Sequence, residues 1–200
     1  MRVTEIDARK GRKTEHAVAD LIVRRWSPRA MTGEPIDDEQ LGSLLEAARW
    51  APSSSNAQPW RFLYARRGGP HWDTFRGLLV EGNRIWADKA AVLMVVVSRK
   101  RFEWNDKPSV THAFDAGAAW ENLALQATAM GLVAHGMAGF DYDRARSELE
   151  VPDVYDVQAM IAVGRPGLVD DLPEKLRERE TPSDRRPLAE IAIDGPFRED

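Results

Sequence analysis

The sequence contains no cysteine and only four histidines. The absence of cysteine excludes disulfides, thiolate nucleophiles and cysteine-ligated zinc or iron–sulfur sites. Lysine is also scarce, so arginine carries most of the positive charge, and the net charge of -4 argues against a nucleic-acid-binding groove. We therefore expect neither a nucleic-acid partner nor a cysteine-based site.

Long apolar runs are absent as well. The longest, residues 90–97, is about half of the roughly 18 residues that a membrane span requires. Residues 1–16 are rich in charge and have no apolar core, so they do not resemble a secretory signal. These features predict a protein without a membrane partner that resides in the cytoplasm.

A chain of 200 residues that is 43% hydrophobic and 30% charged is typical of one globular domain. Helical spacing follows Asp37 and Asp38, which can cap a helix, and a second helical pattern runs over residues 110–130 and ends at Gly131. Apolar runs with strand character lie near residues 60–66, 91–98, 132–137 and 158–163. Helices flanking a central sheet are the expected architecture.

The common catalytic signatures are missing. The sequence has no GxSxG, Walker A, GxGxxG or HExxH motif, and its histidines show no ligand spacing. We expect no metal site and no catalytic side chain of the usual kinds.

Three polar clusters remain, each beside a predicted helix or strand. Residues 25–29 (RWSPR) present two guanidinium groups and a hydroxyl, which suits a phosphate. Residues 52–60 (PSSSNAQPW) offer amides and hydroxyls that could contact a heterocycle. Residues 185–187 (RRP) add positive charge before the C-terminal tail. Each cluster by itself could also be a solvated loop.

In this order, and together with Asn83, Asp115-x-Gly117, Gly139-Phe140-Asp141 and Gly164-Arg165-Pro166, the clusters resemble the FMN-dependent nitroreductase family. The resemblance implies an α+β fold: a three-layer sandwich with a mixed, mainly antiparallel central sheet flanked by helices, in an intertwined homodimer. It also implies a flexible N-terminal arm over residues 1–16, an FMN-binding domain over 17–186, and an extended arm over 187–200 that reaches the partner subunit.

The same resemblance implies an FMN site. The first cluster and a C-terminal arginine would hold the phosphate, the serine-rich loop would reach the flavin bound mainly by the other subunit, and a stretch after residue 136 would cover one flavin face. The cofactor-binding residues so implied are Arg25, Trp26, Ser27, Arg29, Pro52, Ser53, Ser54, Asn56, Asn83, Met137, Ala138, Gly139 and either or both of Arg185 and Arg186.

The implied function is transfer of hydride from NAD(P)H through flavin N5 to a small organic acceptor, such as a nitroaromatic or a quinone, with ping-pong kinetics. The flavin performs this chemistry, which explains how a chain without cysteine can be an enzyme. Two alternatives stay open: a dehalogenase or oxidase of the same fold, and a flavin-binding protein without turnover. Phe102 and Trp104, in the irregular stretch 99–109, are candidates for a lid.

Overall fold

The computed structural model describes residues 1–197, and a four-stranded sheet forms its centre. The strands are β1 (Trp60–Arg66), β2 (Val92–Arg99), β3 (Val133–Met137) and β4 (Tyr155–Gly164), in the spatial order β1-β2-β4-β3. Every strand pair within the described residues is antiparallel, in line with the mainly antiparallel sheet that the resemblance implies, and none of them is the parallel pair that a mixed sheet would include. A parallel pair would therefore have to come from outside this part of the chain.

Seven α-helices in the described residues surround the sheet: α1 (Asp20–Arg24), α2 (Asp38–Arg49), α3 (Trp72–Leu78), α4 (Glu81–Ala87), α5 (His112–Ala129), α6 (Tyr142–Glu148) and α7 (Glu174–Arg177). The cap predicted for α2 is confirmed, since the Asp37 carboxylate accepts from the Gln40 N–H at 2.7 Å. The Gln40 side chain in turn accepts from the Asp37 N–H, so two backbone donors at the start of the helix are satisfied.

Strand β2 is buried on both faces. Leu93 and Val95 point into an apolar cluster shared with α3 and α4, while Met94 and Val96 point into a second cluster shared with α2 and α5. Because successive side chains of a strand alternate between the faces, a continuous apolar run is what a doubly covered strand requires. The result is the predicted α+β arrangement of three layers.

The N-terminal residues differ from the flexible arm that the sequence predicts for 1–16. Val3 is fully buried, its N–H donates to the Gly167 carbonyl at 3.1 Å, and Ala8 is also buried. This packing was not predictable from the sequence, because charged residues separate Val3 from Ala8 and the two form no periodic apolar pattern. The first residues of the N-terminal segment are therefore packed against the rest of the domain.

The C-terminal tail after residue 186 contains a 3-10 turn at Leu188–Glu190 and leaves Ile191 and Phe197 exposed. Its last three positions, 198–200, lie outside the described residues. Within residues 1–197, no helix combines the length and the apolar character needed to cross a bilayer.

Candidate functional site

The Arg25–Arg29 segment follows α1 directly and lies against the long helix α5. The Arg25 side chain is only 15% exposed, and its Nε lies 3.3 Å from the Glu121 carboxylate of α5. Arg25 also donates to the Ser27 hydroxyl at 3.3 Å. Two of the predicted residues therefore contact one another, and α5 fixes the direction of the guanidinium.

A cavity of about 410 Å³ joins the first and third predicted clusters. Arg25 and Arg185, which are 160 positions apart, both line it. Arg12 and Lys13 of the N-terminal segment line it too, beside Asp184 and Glu121. The cavity thus carries four cationic side chains against two carboxylates, which makes it suitable for a doubly charged anion.

Arg12 was not among the predicted site residues, and it is the most constrained cation of this cavity. Burial, together with the positive charges of Arg185 and Arg25, lowers the pKa of its guanidinium. An arginine stays protonated despite such a shift, so the charges repel one another across the cavity. An anion bound between them would remove that repulsion.

The other predicted arginines have different surroundings. Arg29 pairs with Glu180, whose side chain is completely buried, at 3.3 Å. Glu180 also accepts from the backbone N–H groups of Arg29 and Ala30. Arg186 is highly exposed, and within residues 1–197 its ion pair is a long one, 3.9 Å to Glu190. Of the two C-terminal arginines, only Arg185 lines the cavity.

The Trp26 side chain lies on the side of the Arg25–Arg29 segment opposite to Arg25. It lines a separate cavity of about 420 Å³ with residues 3–9 and the end of α5. It also packs at the edge of the apolar cluster beneath α3 and α4. Trp26 therefore secures the segment to the core and does not share the cationic cavity.

His135 of β3 connects the arginine segment to the sheet. Its Nδ1 lies 3.0 Å from the Pro28 carbonyl, and its ring lies 4.6 Å from that of the buried Trp86. Burial lowers its pKa to about 4, and the nearby charges of Arg29 and Arg25 act in the same direction. A neutral imidazole is therefore present at neutral pH, and Nδ1–H donates to Pro28.

Met137 ends β3, and Ala138 and Gly139 follow it beside α4. Asn83 Nδ2 donates to the Gly139 carbonyl at 3.0 Å, so two further predicted residues are in contact. A Cβ at position 139 would lie 2.6 Å from Asn83 Nδ2 and 3.1 Å from a Val80 methyl. Glycine is the residue that fits here because the α4 start approaches the backbone so closely.

The serine-rich loop is strained. Ser55, Asn56 and Gln58 all have positive φ, at 51°, 54° and 47°. Non-glycine residues rarely adopt this conformation, which costs of order 1–3 kcal/mol each and persists where neighbouring contacts enforce it. Here the Ser53 hydroxyl accepts from the Gln58 N–H at 3.0 Å, and the buried Asp115 accepts from the Ser54 N–H at 3.1 Å.

Within one chain, this loop is not part of the cationic cavity. Ser54 contacts Asp115 near the start of α5, whereas Arg25 contacts Glu121 about 9 Å further along the helix. Pro52 is exposed beside them. The first and second predicted clusters thus lie along one helix, without sharing a cavity.

The 99–109 excursion leans toward the same loop. Its Phe102 and Trp104 rings stack at 4.6 Å between centroids, and Trp104 is more than half exposed. Phe102 shares a small crevice with Ala57 and Pro59. A stacked aromatic pair, with Trp104 exposed and Phe102 half-buried, therefore lies next to the strained loop.

An apolar cavity of about 220 Å³ lies between α5 and the sheet. Trp120 lines it and lies close to Gly136, where a Cβ would be 3.2 Å from the indole. Among residues 1–197, no group of three or more histidines and carboxylates is arranged to hold a metal ion.

Sequence reasoning missed Arg12, Lys13, Glu180 and His135. Arg12 and Lys13 lie in a segment that reads as a charged arm, and Glu180 follows a short helix as an ordinary surface glutamate would. The available signal for His135 was its place within an apolar strand pattern, which indicates a buried histidine.

Comparison with known proteins finds similarity in both sequence and fold. The sequence model of the Nitroreductase family matches residues 22–165. An uncharacterized 15.4 kDa protein of Mycolicibacterium smegmatis is 35% identical over 145 residues, which cover 68% of this chain and 95% of that protein. A putative NADH dehydrogenase/NAD(P)H nitroreductase of Streptomyces coelicolor is 34% identical over 132 residues, covering 54% and 62% respectively.

Two solved structures are similar over nearly the whole chain. An oxidoreductase containing FMN is 47% identical with a TM-score of 0.90, covering 94% of this chain and 97% of that one. A putative nitroreductase from Desulfovibrio desulfuricans, in complex with FMN, is 32% identical with a TM-score of 0.70, covering 92% and 100%. With the family match spanning most of the sequence and the fold in agreement, the chain belongs to the nitroreductase family of oxidoreductases.

Proposed function

We propose that the protein is an FMN-dependent oxidoreductase that uses NAD(P)H to reduce a small organic acceptor such as a nitroaromatic or a quinone. The observation that carries the proposal is the cationic cavity, in which Arg25 and Arg185 face the same space from opposite ends of the chain. The similarity to two structures that contain FMN supports the same cofactor.

The chemistry of the cavity fits the phosphate end of FMN. A phosphate monoester carries a charge of about -1.5 to -2 at neutral pH. The four cations lining the cavity exceed its two carboxylates by two positive charges. Planar guanidinium groups also match the oxygens of a phosphate in geometry, which a lysine-rich site would not.

The other predicted site residues fall into two groups, one near the phosphate and one near the flavin ring. Ser27 beside Arg25 would complete the phosphate site, while Asn83 and the Met137–Gly139 backbone would lie along the flavin ring. When bound, FMN accepts two electrons from NAD(P)H and returns them to an acceptor, so no side chain has to act as nucleophile. The protein's part is to bind, orient and shield.

Arg29 at the cationic end and His135 on the ring side would together limit the charge that acts on the flavin ring. Glu180 balances the charge of Arg29, and His135 is neutral with its Nδ1 proton held by the Pro28 carbonyl. The ring environment would thus gain little net charge, while the phosphate end is strongly positive. The positive charge would therefore bind the phosphate tightly, while the reactivity of the ring would depend on the flavin itself.

We propose further that the active form is a homodimer. Pro52, Ser53, Ser54 and Asn56 do not reach the cationic cavity of their own chain, and the strain in their loop indicates a function beyond connecting α2 to β1. Val110, just before α5, and Phe114, in its first turn, are among the most exposed apolar side chains. A symmetric pairing that covers them would bring the loop to the partner's flavin.

The test begins with the purified protein. We expect a yellow solution that releases FMN on denaturation, a dimeric mass by light scattering, and anaerobic loss of the flavin absorbance on adding NADH or NADPH. Reoxidation by nitrofurazone or menadione would identify the acceptor class. Flavin that stays oxidised with both nicotinamides would indicate a binding protein without turnover, and a monomer that keeps FMN would contradict the shared site.

A further inference from the structure

The N-terminal segment at residues 12–15 joins the two parts of the chain that supply the cationic cavity. The Arg12 guanidinium donates to the carbonyls of Val23 and Arg25, the latter at 2.8 Å. Its Nε donates to the Ser183 carbonyl at 3.0 Å. One planar side chain thus bridges the backbone just before Ser27 and the backbone just before Arg185.

Further contacts continue this bridge. The Lys13 N–H donates to the Asp184 carboxylate at 3.3 Å, and the Leu188 N–H donates to the Glu15 carboxylate at 2.7 Å. Side chains and backbone of residues 12–15 therefore contact the tail on both sides of Arg185. We call residues 12–15 the N-terminal strap.

The strap holds the backbone beside Arg185, which lines the cavity opposite Arg25. Arg25 is fixed by Glu121, but Arg185 belongs to a segment without regular structure, and its own hydrogen bonds go to Ser183 and Asp184 next to it. Ser183 is held in turn by Arg12. Without that bond, the free energy of bringing Arg185 to the cavity would have to come from the ligand itself.

Charge strengthens the argument. Arg12 points its cation into a space that Arg25 and Arg185 already make positive, an arrangement that opposes folding unless an anion or a bridging geometry compensates for it. The three carbonyl contacts of Arg12 supply the bridge, and a phosphate would supply the anion. Arginine suits position 12 because its planar guanidinium can donate hydrogen bonds in several directions within one plane.

We propose that Arg12 is a positioning residue for a phosphate monoester, holding Arg25 and Arg185 on opposite sides of one anion. This inference rests on the proposed function, because FMN is the ligand that brings the phosphate. It assigns the N-terminal strap to the selection of FMN over riboflavin, which has the same ring system but no phosphate.

The experiment measures the affinity of the full-length, flavin-free protein for FMN and for riboflavin by flavin fluorescence. For Arg12→Gln we expect FMN affinity to fall about tenfold or more, the loss of one or two charge-assisted hydrogen bonds, with riboflavin affinity unchanged within about twofold. Arg12→Lys keeps the charge but not the planar fork, and should recover only a minor part. Arg9→Gln is the matched control, since Arg9 pairs with Asp7 and Asp20 away from the cavity.

The outcomes separate the two proposals. If the unchanged protein binds neither flavin, the proposed function fails and this inference with it. If it binds FMN but Arg12→Gln keeps the full preference over riboflavin, only the strap proposal is overturned. Equal loss of both flavins in Arg12→Gln would show a general structural role, and full recovery in Arg12→Lys would show that charge alone matters; either result contradicts positioning by the fork.

Discussion

The two ends of the candidate site are built in opposite ways. The cationic end depends on polar contacts between residues far apart in sequence, such as Arg12 with Ser183 and Arg29 with Glu180, separated by 171 and 151 positions. The ring end depends on close apolar and neutral contacts around β3 and α4, such as His135 with Trp86. Charge organises one end and tight packing the other.

The difference teaches where each end is vulnerable. A charged network loses much when one partner is removed, because the other charge or its hydrogen-bond donors remain buried without compensation. A tightly packed region is more sensitive to added volume and to protonation of a buried neutral group. Four predictions test this contrast.

The largest effect should come from Glu180→Ala. It leaves the N–H groups of Arg29 and Ala30 without their acceptor and Arg29 without its counter-ion. We expect a loss of about 3–5 kcal/mol in the free energy of unfolding, measured by urea denaturation. The exposed Glu178→Ala should change stability little. A mild effect at Glu180 would mean that the charged end is not held by this carboxylate.

His135 should make stability depend on pH. Its pKa in the folded protein is about 4, below the ordinary value of 6.5. Between these values the unfolded chain binds a proton that the folded chain does not, so the free energy of unfolding falls as the pH falls, by about 3 kcal/mol once the pH is below 4. At pH 7 this penalty is absent.

The measurement compares urea unfolding at pH 7 and pH 4.5 for the unchanged protein and His135→Gln. The variant should lose less stability on acidification, because it has no group to protonate at this position. His71→Gln, at an exposed site, serves as the control. Identical pH profiles for the unchanged protein and His135→Gln would show that the imidazole is not kept neutral by burial.

Gly139→Ala tests the packing of the ring end. The new methyl would lie 2.6 Å from Asn83 Nδ2, and we expect a cost of about 1–3 kcal/mol in thermal or urea unfolding. Shortening the neighbour as well, in Gly139→Ala with Asn83→Ser, should recover part of the loss. Gly82→Ala, where a Cβ meets nothing within 4 Å, should be neutral or stabilising. A neutral Gly139→Ala would remove the distinction between the two ends.

The smallest effect should distinguish the adjacent residues Arg185 and Arg186. Arg185→Gln should weaken FMN binding about tenfold, because it removes a charge from the cavity, whereas Arg186→Gln should change it by less than about twofold. Fluorescence titration of both variants is sufficient. A larger loss of FMN affinity in Arg186→Gln than in Arg185→Gln would indicate that Arg186, and not Arg185, binds the phosphate.

Local features of the sequence were predictable because they depend on neighbours along the chain. The Asp37 cap and the end of α5 near Gly131 are examples, as is the doubly covered strand β2. Strand β4 begins earlier than predicted, at Tyr155, because its first residues are half-buried and alternate in polarity. Alternation over three residues is too short to distinguish from a loop.

The site was predictable only as far as clusters and resemblance allowed. The sequence brings out Arg25 and Arg185 as candidates, but it contains no sign that Arg12 bridges them or that Arg29 has Glu180 as a partner. Such contacts depend on how the chain ends return to the core, and no periodicity or capping signal encodes them. The strain at Ser55 is likewise invisible, since serine gives no warning of a positive φ.

The strap has a consequence for how the protein is made. Ser183, which Arg12 holds, is synthesised 171 residues after it. The cavity that Arg12 and Arg185 line therefore cannot form until the chain beyond Ser183 has left the ribosome, after all four strands of the sheet have been made. A chain that stops before position 183 would keep every strand of the sheet but would lack Arg185, so the cavity would lose one of its cations.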